Sequence, residues 1–193
     1  SYIDVINDII EKNGIEVIHP QPDIEVKILS ENREKFKAKC FLPSKETVKI
    51  CQDKFLSSER WTQKGFQTVK SILLRDDHLE DDIEKAFAEL GPNLWIRATQ
   101  GAGGTGSTPA NSKGIVLHWI KYWRSRGEKW TFIAQENLTG RNVAFQSLWN
   151  KGELVVSQAR ERVEYIYPYL APSGVTGTPT VAKTIHDDNV NKM

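Results

Sequence analysis

The segment Leu94-Trp-Ile-Arg97-Ala-Thr-Gln-Gly101-Ala-Gly103-Gly104-Thr105-Gly106-Ser107-Thr108 combines residue types suited to holding an anion. A short apolar run ends in an arginine, and a glycine-dense, hydroxyl-rich loop follows at once. Glycines let backbone N–H groups turn toward an anion without side-chain obstruction. Arg97 adds a permanent charge with a planar donor fork. The chemistry indicated is a clamp on nucleotide phosphates.

Residues 101–106 also match the GxGxxG pattern of dinucleotide sites. That fingerprint needs a helix opening at the loop and an acidic residue about 20 positions on, at the end of a second strand. Here the next strand ends at Gln135-Glu136, too far along, and a long loop separates Gly106 from the next helix. A Walker A loop is excluded because no Lys-Ser/Thr follows the last glycine. A mobile flap over a triphosphate, with Arg97 at its root, and a plain solvent-exposed linker both remain open.

Four further segments fit the flap. Gln135-Glu136-Asn137-Leu138-Thr139-Gly140-Arg141-Asn142 lies between two strands. Its backbone could present N–H and C=O groups to an adenine edge while Leu138 packs on the ring. Asp53-Lys54 starts a helix and would bring a point charge. Arg160 and Arg162 alternate onto one strand face, so they meet either solvent or an anion. Ser173-Gly174-Val175-Thr176-Gly177-Thr178 is a second glycine and hydroxyl loop. Each segment also has a plain reading: a strand connection, a surface lysine, solvated arginines, a surface turn.

The elements that must position these residues follow from periodicity. Residues 2–13 carry Ile3, Ile6, Ile9 and Ile10 at helical spacing, ended by Asn13-Gly14. Residues 15–18 predict a strand and residues 23–36 a helix. Ser44 is the N-cap of a third helix, and a fourth runs from Asp53 to Gly65. Residues 67–74 read as extended, residues 76–90 as an acidic helix with Ile83, Phe87 and Leu90 inward, and residues 94–98 as a strand. Asn111 or Ser112 caps a helix with an apolar stripe of Ile115, Val116, Trp119, Ile120 and Trp123. Strands follow at 130–134, 143–149 and 154–157, the last two as an antiparallel hairpin. Residues 168–180 read as loop, and His186-Asp-Asp-Asn189 as a helix start.

Composition sets the class. The chain has 193 residues, 39% hydrophobic and 26% charged, with a net charge of +1. This describes a globular protein with no electrostatic case for nucleic acid. No apolar run approaches the ~20 residues of a membrane span. Cys40 and Cys51 do not make a disulfide framework, which points to a cytoplasmic setting. With Ser1 in place of an initiator Met, the chain reads as a piece of a longer protein.

In their order and spacing these segments resemble the ATP-grasp superfamily, in particular the ligases similar to the carbamoyl-phosphate synthase large chain. The resemblance covers nearly the whole chain. It implies an incomplete ATP-grasp fold, of the α+β or α/β class, preceded by the end of an α/β pre-ATP-grasp domain. Residues 1–45 would be that end, 46–135 the nucleotide-covering small subdomain, and 136–193 the first part of the large one. It also implies that Lys54 and Arg97 contact ATP phosphates. Gly103, Gly104, Thr105 and Gly106 would cover the phosphates, and Gln135, Glu136 and Leu138 would hold adenine. Gly174, Val175 and Thr176 would lie near ribose or substrate, and Arg160 and Arg162 would face the transferring phosphoryl group. Asn142 stands where the family places an acidic ribose ligand, so it would bind a hydroxyl without charge assistance.

The implied chemistry is ATP-dependent activation of a small carboxylate or bicarbonate-like substrate as an acyl phosphate, followed by attack of an amine. Mg²⁺ is expected in the full-length protein, on acidic and amide ligands beyond Met193. The fragment alone is therefore expected to turn over little. Two alternatives stay open: a non-catalytic nucleotide-binding module of the same fold, and, less favoured, an NAD-binding oxidoreductase.

Overall fold

The computed structural model describes residues 1–191. Lys192 and Met193, the end of the expected large-subdomain segment, lie outside the described residues. The chain divides into two compact units: residues 1–69 with 99–101, and residues 70–98 with everything from Ala102 on.

In the first unit, α1 (Tyr2–Asn13) opens with a capping box on Ser1 and Asp4 and ends on Gly14 in the left-handed region. Strands β1 (Val17–Ile18) and β2 (Lys39–Cys40) pair in parallel, with α2 (Asp23–Glu31) between them. This βαβ crossover is the α/β layer that the helix–strand alternation predicted. The expected helix to Phe36 stops at Glu31 instead. Asn32 turns both its backbone N–H and its side-chain amide onto the Ile28 carbonyl, and a single 3₁₀ turn, Arg33–Lys35, follows. The two-residue β2 is too short to leave a periodic signal. Ser44 caps α3 (Lys45–Gln52) by accepting from the Thr47 N–H, and Asp53 caps α4 (Lys54–Gln63) through Phe55 and Leu56.

The second unit holds two sheets. The first has the order β3-β6-β4-β5 and is antiparallel throughout: β3 (Ser71–Leu74), β4 (Leu94–Ala98), β5 (Thr108–Ala110) and β6 (Phe132–Glu136). Helices α5 (Leu79–Leu90) and α6 (Lys113–Ser125) pack on one face over Leu74, Leu94, Ile96, Phe132 and Ala134. Ile83, Leu94, Ile96 and Val116 are fully buried there. Ile115, expected in the apolar stripe of α6, is exposed instead, because the buried arc of that helix is set by Val116 and Ile120.

The second sheet is an antiparallel meander of β7 (Asn142–Asn150), β8 (Glu153–Tyr165) and β9 (Pro179–Ile185). β9 falls partly within the expected 168–180 loop. Its residues are mostly exposed and lack alternation, and Pro179 sits at its first position, where no ladder N–H is required. A short α7 (Asp188–Asn191) follows, as the helix-start signal predicted.

One buried charge pair ties the first sheet to α5. Asp82 is 4% exposed. It accepts from Arg75 Nε at 2.9 Å, from a second guanidinium nitrogen at 2.6 Å, and from the Arg75 backbone N–H at 2.9 Å. These donors, the guanidinium first, hold its carboxyl at about 2. The folded value lies below the ordinary 3.8, so the stabilisation is complete above about pH 4 and is lost as pH falls toward 2. Arg75 is half exposed, which screens the pair and limits its contribution to roughly 1–2 kcal/mol. Urea unfolding followed by tryptophan fluorescence should show Asp82→Asn less stable than the parent at pH 6. The difference should shrink toward zero near pH 2.

Candidate functional site

Strand β4 alternates. Leu94, Ile96 and Ala98 face the helices, which puts Trp95 and Arg97 on the opposite face. Across the ladder Arg97 stands opposite Ile133, and Trp95 opposite Gln135. Gln135 also stands opposite Ser71 of β3 and donates its amide to the Ser71 hydroxyl at 2.7 Å. Arg97 and Gln135 are therefore diagonal neighbours on one sheet face, about 7 Å apart at their roots. Arg97 is half-buried, its Nε has no hydrogen-bond partner among the described residues, and burial pushes its guanidinium below the ordinary value.

The glycine segment runs from β4 to β5, which pair antiparallel. It is a strand-to-strand connection, and α6 begins only at Lys113. No helix N-terminus opens at the loop, so the dinucleotide fingerprint lacks the element that would receive a pyrophosphate. Gly103, Gly104 and Gly106 have φ of 69°, 76° and 75°. A Cβ on Gly106 would lie 3.1 Å from the Trp130 ring and 3.2 Å from the Ala98 side chain. The Gly106 carbonyl accepts from Trp119 Nε1 at 3.0 Å. The base of the loop is thus anchored on the aromatic residues beside α6, whereas Thr105 at its tip is exposed.

The two glycine and hydroxyl loops meet. A Cβ on Gly104 would come within 2.9 Å of the Val175 carbonyl, and one on Gly177 within 2.7 Å of the Gly103 backbone. Only glycine permits this approach. Within the second loop the Ser173 hydroxyl accepts from the Val175 N–H at 3.1 Å, and Gly174 has φ 72°. The Thr176 hydroxyl donates to the Ile166 carbonyl and so braces the loop.

Glu136 ends β6, and the connection to β7 is irregular. Leu138 in it is 66% exposed, and Asn142 opens β7, also exposed. Asn142 stands opposite Arg162, and Ala144 opposite Arg160, so Asn142, Arg160 and Arg162 share one face of the second sheet. Both arginines carry a buried Nε without a hydrogen-bond partner. Arg141, by contrast, is fully engaged: it bridges Glu161 at 3.2 Å and Asp187 at 3.4 Å. That pairing joins β7, β8 and the end of β9, and depends on a strand that the sequence does not announce.

Lys54 belongs to the first unit. Its Nζ donates to the carbonyls of Gly101 at 2.8 Å and Thr99 at 3.3 Å, and its backbone N–H to the Thr99 carbonyl at 2.9 Å. The lysine therefore holds the chain just ahead of Ala102. Trp119, Trp130 and Gly177, which shape the loop, carried no signal of that role in the sequence. Among the described residues no group of three or more His, Cys, Asp or Glu could hold a metal ion. No helix is long and apolar enough to cross a membrane.

No family model matches the chain, and no curated protein matches it. Solved structures do. The biotin carboxylase domain of 2-oxoglutarate carboxylase from Hydrogenobacter thermophilus, a dimer in complex with MgADP, ADP and bicarbonate, superposes with a TM-score of 0.70 at 18% identity. It matches 84% of this chain and 38% of its own. VanG D-Ala:D-Ser ligase from Enterococcus faecalis gives a TM-score of 0.68 at 17% identity, over 92% of this chain and 52% of its own. D-alanine–D-alanine ligase from Bacillus anthracis gives 0.67 at 15%, over 96% and 60%. This chain thus spans 38% to 60% of the length of these relatives. The chain carries an incomplete ATP-grasp fold, as the order of its motifs implied.

The contact between the two loops is testable. Gly177→Ala and Gly104→Ala should force them apart and speed amide hydrogen exchange over residues 102–107 and 173–178. Gly174→Ala carries a similar backbone strain but meets nothing within 4 Å. It should leave exchange in residues 102–107 unchanged.

Proposed function

We propose that this chain is the nucleotide-binding part of an ATP-dependent ligase of the carboxylate–amine or carbamoyl-phosphate-synthase type. The observation that supports the reading is the pairing of Arg97, half-buried at the end of its strand, with a glycine flap anchored beside it. In this reading the flap's N–H groups and the Arg97 fork hold the ATP phosphates. The 135–142 connection receives adenine, with Leu138 against the ring. Glu136 and Asn142 flank that pocket, and Gly174 and Val175 lie toward ribose or substrate. Arg160 and Arg162 face the γ-phosphoryl group, where their guanidinium charge stabilises the negative charge that spreads over the equatorial oxygens.

The reaction has two steps. A carboxylate or bicarbonate oxygen attacks the γ-phosphorus and ADP leaves, giving an acyl phosphate. An amine then adds to the acyl carbon, and inorganic phosphate departs with the C–O electron pair. This chain's part is positioning and charge stabilisation. Mg²⁺ belongs to the full-length reaction, and among the described residues no group of three or more His, Cys, Asp or Glu could hold it. The expected setting is the cytoplasm, with a small carboxylate as partner.

Asn142 favours a second reading, a nucleotide-binding module without catalysis. An amide there holds a ribose hydroxyl less strongly than a carboxylate. ATP hydrolysis by the full-length protein in the presence of the amine and carboxylate substrates separates the two readings.

Isothermal titration of ATP into the protein tests the site itself. Arg97→Ala should weaken binding by roughly 10- to 100-fold, the range for loss of one charge-assisted contact. The melting temperature serves as the fold control. Unchanged affinity would remove Arg97 from the site, and tighter binding of NAD than of ATP would overturn the nucleotide reading.

A further inference from the structure

The first unit holds a cavity of about 490 Å³ between α2 and α3. Its walls are fastened together, since Gln52 at the end of α3 donates to the Asp23 carbonyl at the start of α2 at 2.7 Å. Val48, 6% exposed, and Ser30, 4% exposed, belong to its floor. The Ser30 hydroxyl is buried with no hydrogen-bond partner.

The rim carries charges of both signs. Lys27, Lys45 and Lys49 stand against Glu31 and Glu46. Glu46 reaches Arg60 at 3.4 Å, while the three lysines and Glu31 enter no salt bridge among the described residues. A polyanion entering here would meet Glu31 and Glu46, and a simple cation would meet three ammonium groups. An uncharged apolar molecule would leave the rim charges unanswered. Only a ligand bearing both charges on a small apolar body complements the whole lining.

We propose that this cavity binds a small zwitterion of the free amino-acid class. Its carboxylate lies toward Lys27 and Lys49, its ammonium group toward Glu31, and its side chain over Val48 and the lysine stems. The assignment stands on this cavity alone and does not depend on the nucleotide reading.

The test is a titration followed by backbone amide NMR, without nucleotide, so that its failure leaves the ATP reading standing. The probes are L-leucine, 4-methylpentanoate (leucine without the amine), 3-methylbutylamine (leucine without the carboxylate) and inorganic phosphate. Leucine should give saturable shifts in α2 and α3, with an affinity at least about fivefold above each other probe. Lys49→Gln and Glu31→Gln, both at exposed positions, should each weaken leucine by about threefold or more while the remaining amide pattern holds. Equal or tighter binding of 4-methylpentanoate or phosphate would make this a plain anion site and overturn the proposal. Equal binding of the amine, or no saturable shift with leucine up to about 20 mM, would overturn it as well.

Discussion

Two stretches of backbone approach each other at Gly104 and Gly177 more closely than any side chain allows. The candidate site of the second unit rests on that approach. Hydrogen bonds alone do not require it; it exists because Cβ atoms are missing from both partners, so that the loop after β4 and the loop before β9 lie in van der Waals contact. At the other end of the first loop, Trp130 and Ala98 close on Gly106, and Trp119 holds its carbonyl. The segment is therefore held at both ends, while Thr105 between them stays exposed. A linker has no such anchors.

The electrostatics follow from the packing. The helices covering one face of the β3-β6-β4-β5 sheet fix which residues of β4 and β6 turn away from them. That leaves Arg97 and Gln135 on the opposite face. On the second sheet the same alternation puts Asn142, Arg160 and Arg162 together. Where the protein supplies a partner, the cation is visibly committed: Arg75 to Asp82, Arg141 to Glu161 and Asp187. Arg97, Arg160 and Arg162 differ, since each keeps a buried Nε without a hydrogen-bond partner.

Much of the local structure was legible because it is written in short-range chemistry. Ser1, Ser44, Asp53 and Ser112 each accept from the N–H groups of the helix that they open. Gly14 ends the first helix in the left-handed region. Strand β4 has the expected bounds because its apolar alternation is strong. The exceptions share a cause. β2 has two residues, β5 contains Pro109, and β9 is polar and exposed, so none has a periodic face to read. Each exists because a neighbouring strand offers it a ladder.

The types of residue, their order and their spacing were sufficient to carry the resemblance to the ATP-grasp fold. Those signals are local, and glycine, arginine and capping residues carry them at fixed positions. Only the tertiary structure decided that the glycine segment links two antiparallel strands, which removes the helix that a dinucleotide site needs. It also decided that the Thr176 hydroxyl braces its own loop while Gly177 provides the contact surface. Which arginines are paired depended on it too, because Asp187 comes to Arg141 through a strand that leaves no sequence pattern. Such facts rest on contacts between residues distant along the chain, and periodicity does not record them.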